Sequence, residues 1–210
     1  MKKLFLALAA AAPLAVCAAP EGLHSEPFGY PSALLDAPAT LGAPAGGFVQ
    51  IGRERLELGE AALGEAAHRR HLALLREGSG VFARDYTCLT GTEGGRELIV
   101  WLIATGSEAL TEAQVEWVAD GAEVPRSCAR LAMTDLPVRL GKIGLGMTEK
   151  DVTDLIGAPS YSEGSGWKFW FSQRFLKNAR GLQELELNWL GVRFEKGRAV
   201  RAFASLVKNP

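Results

Sequence analysis

The stretch Glu184–Phe203, ELELNWLGVRFEKGRAVRAF, decides how this chain is read. Leu185, Leu187 and Trp189 alternate with Glu184, Glu186 and Asn188, the period of two that places the two sets on opposite faces of a β-strand. Lys196-Gly197 is a turn signal, so the stretch predicts strands at Leu185–Leu190, Val192–Glu195 and Val200–Ser205. Upstream, Trp167–Phe171 is a further aromatic strand. Before it, Thr148 with Asp151 three residues on predicts a capped helix, with Val152, Leu155 and Ile156 as its apolar stripe and Gly157-Ala158-Pro159 as its stop.

The same order of features recurs in the first half. Leu145-Gly146, Gly164-Ser165-Gly166, Trp189-Leu190, Val192-Arg193-Phe194, Lys196-Gly197 and Val200 are echoed by Leu58-Gly59, Gly78-Ser79-Gly80, Trp101-Leu102, Val115-Glu116-Trp117, Asp120-Gly121 and Val124. This predicts two units, 48–136 and 137–210. In the first, Ala61–Arg76 is the expected helix, and Val81–Cys88, Leu98–Ala104, Val115–Ala119 and Val124–Leu131 are the expected strands. Leu110–Ala119 also reads as helix; the repeat alignment tips it to strand. The expected fold class is α+β: two tandem repeats, each a helical segment packed on one face of an antiparallel meander sheet, with the other face open to solvent.

The first residues read as an address. Lys2 and Lys3 precede the apolar run Leu4–Val16, too short to span a bilayer, which takes about 20 residues, so 1–18 is an expected signal peptide. Cleavage after Ala18 would release the chain into the periplasm. Alternatively, Leu14-Ala15-Val16-Cys17 resembles a lipobox, and acylation of Cys17 would anchor it to the outer membrane. Residues 19–47 hold Pro20, Pro27, Pro31, Pro38 and Pro44 among Ala and Gly, an expected extended tether in which Leu34 and Leu35 are the residues able to dock. Cys88 and Cys128 remain as an even pair, most simply a disulfide in an oxidising compartment and otherwise two buried thiols.

Lys142-Ile143-Gly144-Leu145-Gly146-Met147-Thr148-Glu149-Lys150-Asp151-Val152, followed by Leu155-Ile156-Gly157-Ala158-Pro159, resembles the signature of the SmpA/OmlA (BamE) domain family. Trp167–Phe171 and Val192-Arg193-Phe194 with Lys196-Gly197 sit where that family has strands. The layout of 48–210 is similar to that of β-lactamase inhibitor proteins. The first unit lacks the Met-Thr and Gly-x-Pro elements and enters through the internal likeness alone. The resemblance implies helices packed on a sheet, an envelope location and a role in protein–protein contact, in outer-membrane assembly or maintenance or as an inhibitor of an exported hydrolase such as a β-lactamase.

With Leu185, Leu187 and Trp189 directed toward the helices, the opposite sheet face would carry Lys168, Trp170, Glu186, Asn188, Arg193, Arg201 and Phe203. Two aromatics among charges have the composition of a protein-recognition surface; the alternative is that a loop or the other repeat covers Trp170 and Phe203. The insert Ser172–Leu182 carries Arg174, Lys177 and Arg180 around Phe175 and Leu176. It suits anionic lipid headgroups or an acidic partner, or is a plain solvated hairpin loop. Residues 48–136 hold 9 basic and 14 acidic side chains and 137–210 hold 12 and 7, a division that would orient the molecule in an encounter. Glu65, His68 and His71 advance around a helix without converging, so no metal is expected. No Gly-x-Ser-x-Gly elbow occurs. The sequence therefore reads as a non-enzymatic protein without cofactor, small-molecule substrate or nucleic acid, whose partner is another envelope or secreted protein.

Overall fold

A computed structural model describes residue 27 and residues 40–80, 83–177 and 180–209. The expected signal segment, Cys17, and Leu34 and Leu35 of the tether lie outside these residues. The first half contains Phe48–Ile51 (β1), Glu54–Glu57 (β2), helix Leu63–Arg69 (α1), Leu75–Glu77 (β3), Arg84–Glu93 (β4), Arg96–Thr105 (β5), Glu112–Trp117 (β6) and Ala129–Arg130 (β7). Val138–Leu140 (β8), helix Glu149–Ile156 (α2), Tyr161–Ser162 (β9), Trp167–Lys177 (β10), Gln183–Glu195 (β11) and Arg198–Asn209 (β12) follow.

Strand makes up 51% and helix 11% of the described residues, which overturns the expected α+β fold of two tandem repeats, each with a helix on its own sheet. The meanders β4–β6 and β10–β12 share a single sheet because β6 pairs antiparallel with β12, Glu112–Glu116 against Arg201–Ser205. The strand order is β3-β4-β5-β6-β12-β11-β10-β9, with β7 laid parallel on β4. A second, three-stranded sheet runs β2-β1-β8.

Local chemistry explains the departures. The helix expected over Ala61–Arg76 stops at Arg69, and His71 takes a positive φ of 54° as the chain turns away. The Val124–Leu131 strand survives only as Ala129–Arg130. The insert expected as a loop from Ser172 continues as strand to Lys177, since Arg174 and Leu176 pair with Glu186 and Glu184 of β11. Leu110–Ala119 is strand at Glu112–Trp117.

α2 forms where expected, and Thr148 caps it. The Thr148 Oγ1 accepts the Asp151 amide at 3.1 Å, and Asp151 Oδ2 accepts the Thr148 amide at 3.1 Å. These side-chain and backbone bonds to Thr148 hold the Asp151 carboxyl below its ordinary 3.8. A depressed folded-state pKa adds stability above the unfolded value, and that stability is lost as pH falls through the folded one. Thr148→Ala is therefore expected to cost about 1 kcal/mol at neutral pH, with the difference from wild type shrinking as pH drops below 3.8. Parallel thermal melts across that range check it.

One face of the large sheet, the inner face, meets α2 and the small sheet: Val100, Leu102, Val115, Leu190, Val192, Ala202 and Trp170 pack with Val49, Ile51, Leu63, Val138, Leu140 and Val152. The other, the aromatic face, carries two further clusters. Ile99, Trp101 and Ile103 lie under Val118, Ala122, Val124 and Cys128, and Trp167, Phe169 and Phe203 pack with Tyr161 and Trp189. Strand β5 is consequently apolar on both sides, LIVWLI at Leu98–Ile103, as a two-sided strand must be. Cys88 and Cys128 form a disulfide, with an S–S distance of 2.04 Å and Cα atoms 4.7 Å apart. It pins the segment 118–128 over Trp101. No helix among the described residues is long and apolar enough to cross a membrane.

The last residues of the expected tether belong to the fold. The Leu41 amide donates to the Phe171 carbonyl at 2.7 Å. Gly46 crosses the inner face so closely that a Cβ there would lie 2.9 Å from the Ala204 Cβ.

Candidate protein-binding face

Strand register decides which side chains share a face. Trp170 stands opposite Leu190, and Leu190 opposite Ala204, so Lys168, Trp170, Glu186 and Asn188 lie on the inner face with Leu190. Phe203 stands opposite Gly191 and Arg201 opposite Arg193, which places Arg193, Arg201 and Phe203 on the aromatic face. The seven residues expected on one open surface are split four and three. The cause is that β11 is apolar on both sides. Leu190 and Val192, rather than Leu185, Leu187 and Trp189, meet the core beneath α2.

The inner four are structural. Trp170 is 1% exposed, and its Nε1 donates to the Gly157 carbonyl at the end of α2, 2.9 Å away. Lys168 forms an ion pair with Glu149 of α2. Glu186, buried, accepts Arg174 Nε at 2.6 Å. Asn188, fully buried, clasps Gly46 from both sides, its Nδ2 donating to the Gly46 carbonyl at 3.0 Å and its Oδ1 accepting the Gly46 amide at 3.3 Å.

On the aromatic face, Phe203 is also buried, with ring centroids 5.8 Å from Trp167 and 6.4 Å from Phe169. Gly191 makes this possible: a Cβ there would lie 2.3 Å from the Phe203 ring. Phe171 stacks on Trp189 at 4.3 Å. Arg201 Nε lies 2.6 Å from Glu116 Oε2, and buried Gln114 donates to Glu112, so β6 contributes a polar row to this face. Arg193 pairs with Glu195 at 3.1 Å.

Beyond Ser205, where β6 ends, β10, β11 and β12 run on as a three-stranded arm. Phe175, Leu185 and Asn209 are in register, as are Gln173, Leu187 and Val207. Phe175 is 65% and Val207 50% exposed, while Leu185, Leu187 and Trp189 are half-buried. The arm's reverse side carries Arg174, Leu176, Glu184, Glu186 and Lys208. The expected basic loop is thereby divided: Phe175 and Lys177 lie on the aromatic side, Arg174 is held by Glu186 behind it, and Arg180 is exposed at the hairpin turn. Beside the arm, Ser205 and Val207 form one wall of a cleft of ≈ 660 Å³, closed opposite by Thr105–Thr111 with Arg84 and Glu112.

No family model, curated protein or solved structure matches this chain.

What the face can do follows from its own chemistry. Apolar side chains on rigid strands bury against a partner at little ordering cost, and the cations at its margin bias which partner approaches. One-sided alternation places Leu185, Leu187 and Trp189 in the core, and the expected strand Val200–Ser205 stops short of Val207. Among the described residues no three His, Cys, Asp or Glu side chains group as metal ligands, and Glu65, His68 and His71 are exposed.

Proposed function

We propose that this chain is a non-enzymatic protein of the cell envelope that binds another protein through the arm end of its aromatic face, in outer-membrane assembly or maintenance. One observation carries the reading: Phe175, Leu185, Leu187, Trp189 and Val207 stand side by side on one face of the arm, with Phe175 and Val207 half or more exposed. A contiguous exposed apolar patch is costly for a soluble protein and marks an interaction surface. The Cys88–Cys128 bridge and the signal-like first residues support export. The likeness of Lys142–Pro159 to the SmpA/OmlA signature supports the envelope setting.

Crosslinking capture from envelope fractions tests it. The wild-type chain is expected to retain a protein partner that the Phe175→Ser/Leu187→Ser variant loses, with an unchanged thermal midpoint. Retention of the same partner by the variant would remove the patch from the reading. Assays against exported hydrolases, β-lactamases included, separate an inhibitor from an assembly factor, and mass spectrometry of the mature N-terminus reports whether Cys17 is acylated.

A further inference from the structure

β12 ends at Asn209, opposite Leu185. Beyond that row the arm narrows to a two-stranded tip, in which Leu176 pairs with Glu184 and Lys177 with Gln183 before the chain turns. Apolar and basic side chains gather at its far end. Phe175 is 65% and Leu182 60% exposed, and Lys177 and Arg180, both exposed, stand with them. No carboxylate occurs from Gln173 to Gln183. The next two along the chain, Glu184 and Glu186, lie on the reverse side, where Glu186 holds Arg174.

We propose that this tip rests on an anionic lipid surface. Phe175 and Leu182 enter the boundary between headgroups and acyl chains, and Lys177 and Arg180 meet the lipid phosphates. This goes beyond the protein-binding reading and does not depend on it, since Leu187, Trp189 and Val207 lie nearer the body of the sheet. Area and charge select the occupant. A stable protein interface buries about 800 Å² on each partner, more than two side chains at the end of a hairpin supply. Adsorption to a membrane needs only apolar groups at a protruding point with cations around them. Each basic residue beside an anionic leaflet strengthens adsorption about fivefold, and no carboxylate of the tip opposes it. The chain as a whole has a formal net charge of −1, and losing Lys2 and Lys3 makes it more acidic. Net charge therefore repels such a surface, and the attraction is local to the tip.

The test is flotation of the unacylated chain from Ala19 with vesicles of phosphatidylglycerol and phosphatidylcholine in equal parts, beside phosphatidylcholine alone. The protein is expected to float with the first and not the second, and to dissociate as salt is raised. Lys177→Gln/Arg180→Gln should weaken binding about twentyfold, and Leu182→Ser about fivefold. All three side chains are exposed, so thermal midpoints should hold. Arg126→Gln, at an exposed cation outside the arm, should bind as wild type does. No flotation, equal flotation with both vesicles, or full binding by both tip variants overturns the proposal. So does a loss in Arg126→Gln as large as in the tip pair, because the attraction would then be diffuse. Partner capture by Lys177→Gln/Arg180→Gln should match wild type, so vesicle binding and capture can fail one without the other.

Discussion

Replacing Trp170 with alanine is expected to lower the stability of the folded chain by about 3–5 kcal/mol and its thermal midpoint by roughly 10 °C or more. The indole is 1% exposed beneath α2, and its loss leaves both a cavity and an orphaned Gly157 carbonyl. The matched control is Phe175→Ala on the same strand, 65% exposed, which should change stability by less than about 0.5 kcal/mol. Calorimetry on the pair assigns the two faces. A Trp170→Ala chain that melts with wild type would place that side chain outside the core and exchange the inner and aromatic faces.

The second large effect concerns the Cys88–Cys128 bridge. It closes a loop with a sequence separation of 40, for which the chain-entropy account gives about 4 kcal/mol. Cys88→Ser/Cys128→Ser should lose an amount of that order, read as a drop in the urea midpoint, with a steeper slope because the uncrosslinked unfolded chain is less compact. The loss has a local component. The bridge holds Val118–Cys128 over Ile99, Trp101 and Ile103, so amide exchange in β5 should rise before the rest of the sheet opens. Equal urea midpoints for oxidised and reduced protein would show that packing alone keeps this segment in place.

What was legible in the sequence was local. The Thr148–Asp151 cap, the Lys196-Gly197 turn and the cysteine pair each depend on residues whose chemistry names its own partner, and each is present. Faces were harder. Alternation at Glu184–Trp189 says that two sides differ but not which side meets the core, and here apolar residues line both. The unbroken apolar run Leu98–Ile103 is the signal of a strand covered on both sides, at odds with the expected sheet open on one face. The pairing of Glu112–Glu116 with Arg201–Ser205 joins segments with no shared local pattern, so the union of the two meanders into one sheet had no counterpart in spacing or composition. The partner-binding expectation failed for Trp170 and Asn188 for the same reason. A polar or aromatic side chain on an alternating strand looks equally suited to water and to a buried clasp until the crossing segment, here Ala45–Gly47, is in place.

The position of Arg198–Asn209 in the middle of the large sheet, between Glu112–Trp117 and Gln183–Glu195, has a bearing on biogenesis. A polypeptide that emerges amino end first must keep the edge of Glu112–Trp117 unmated until residues 198–209 arrive. Through that interval the earlier meander is an open template for foreign strands. Shielding by a holdase, or fast delivery of residues 198–209, would govern the yield of native molecules. For the same reason a stop before residue 198 would split the sheet at its centre rather than trim its rim.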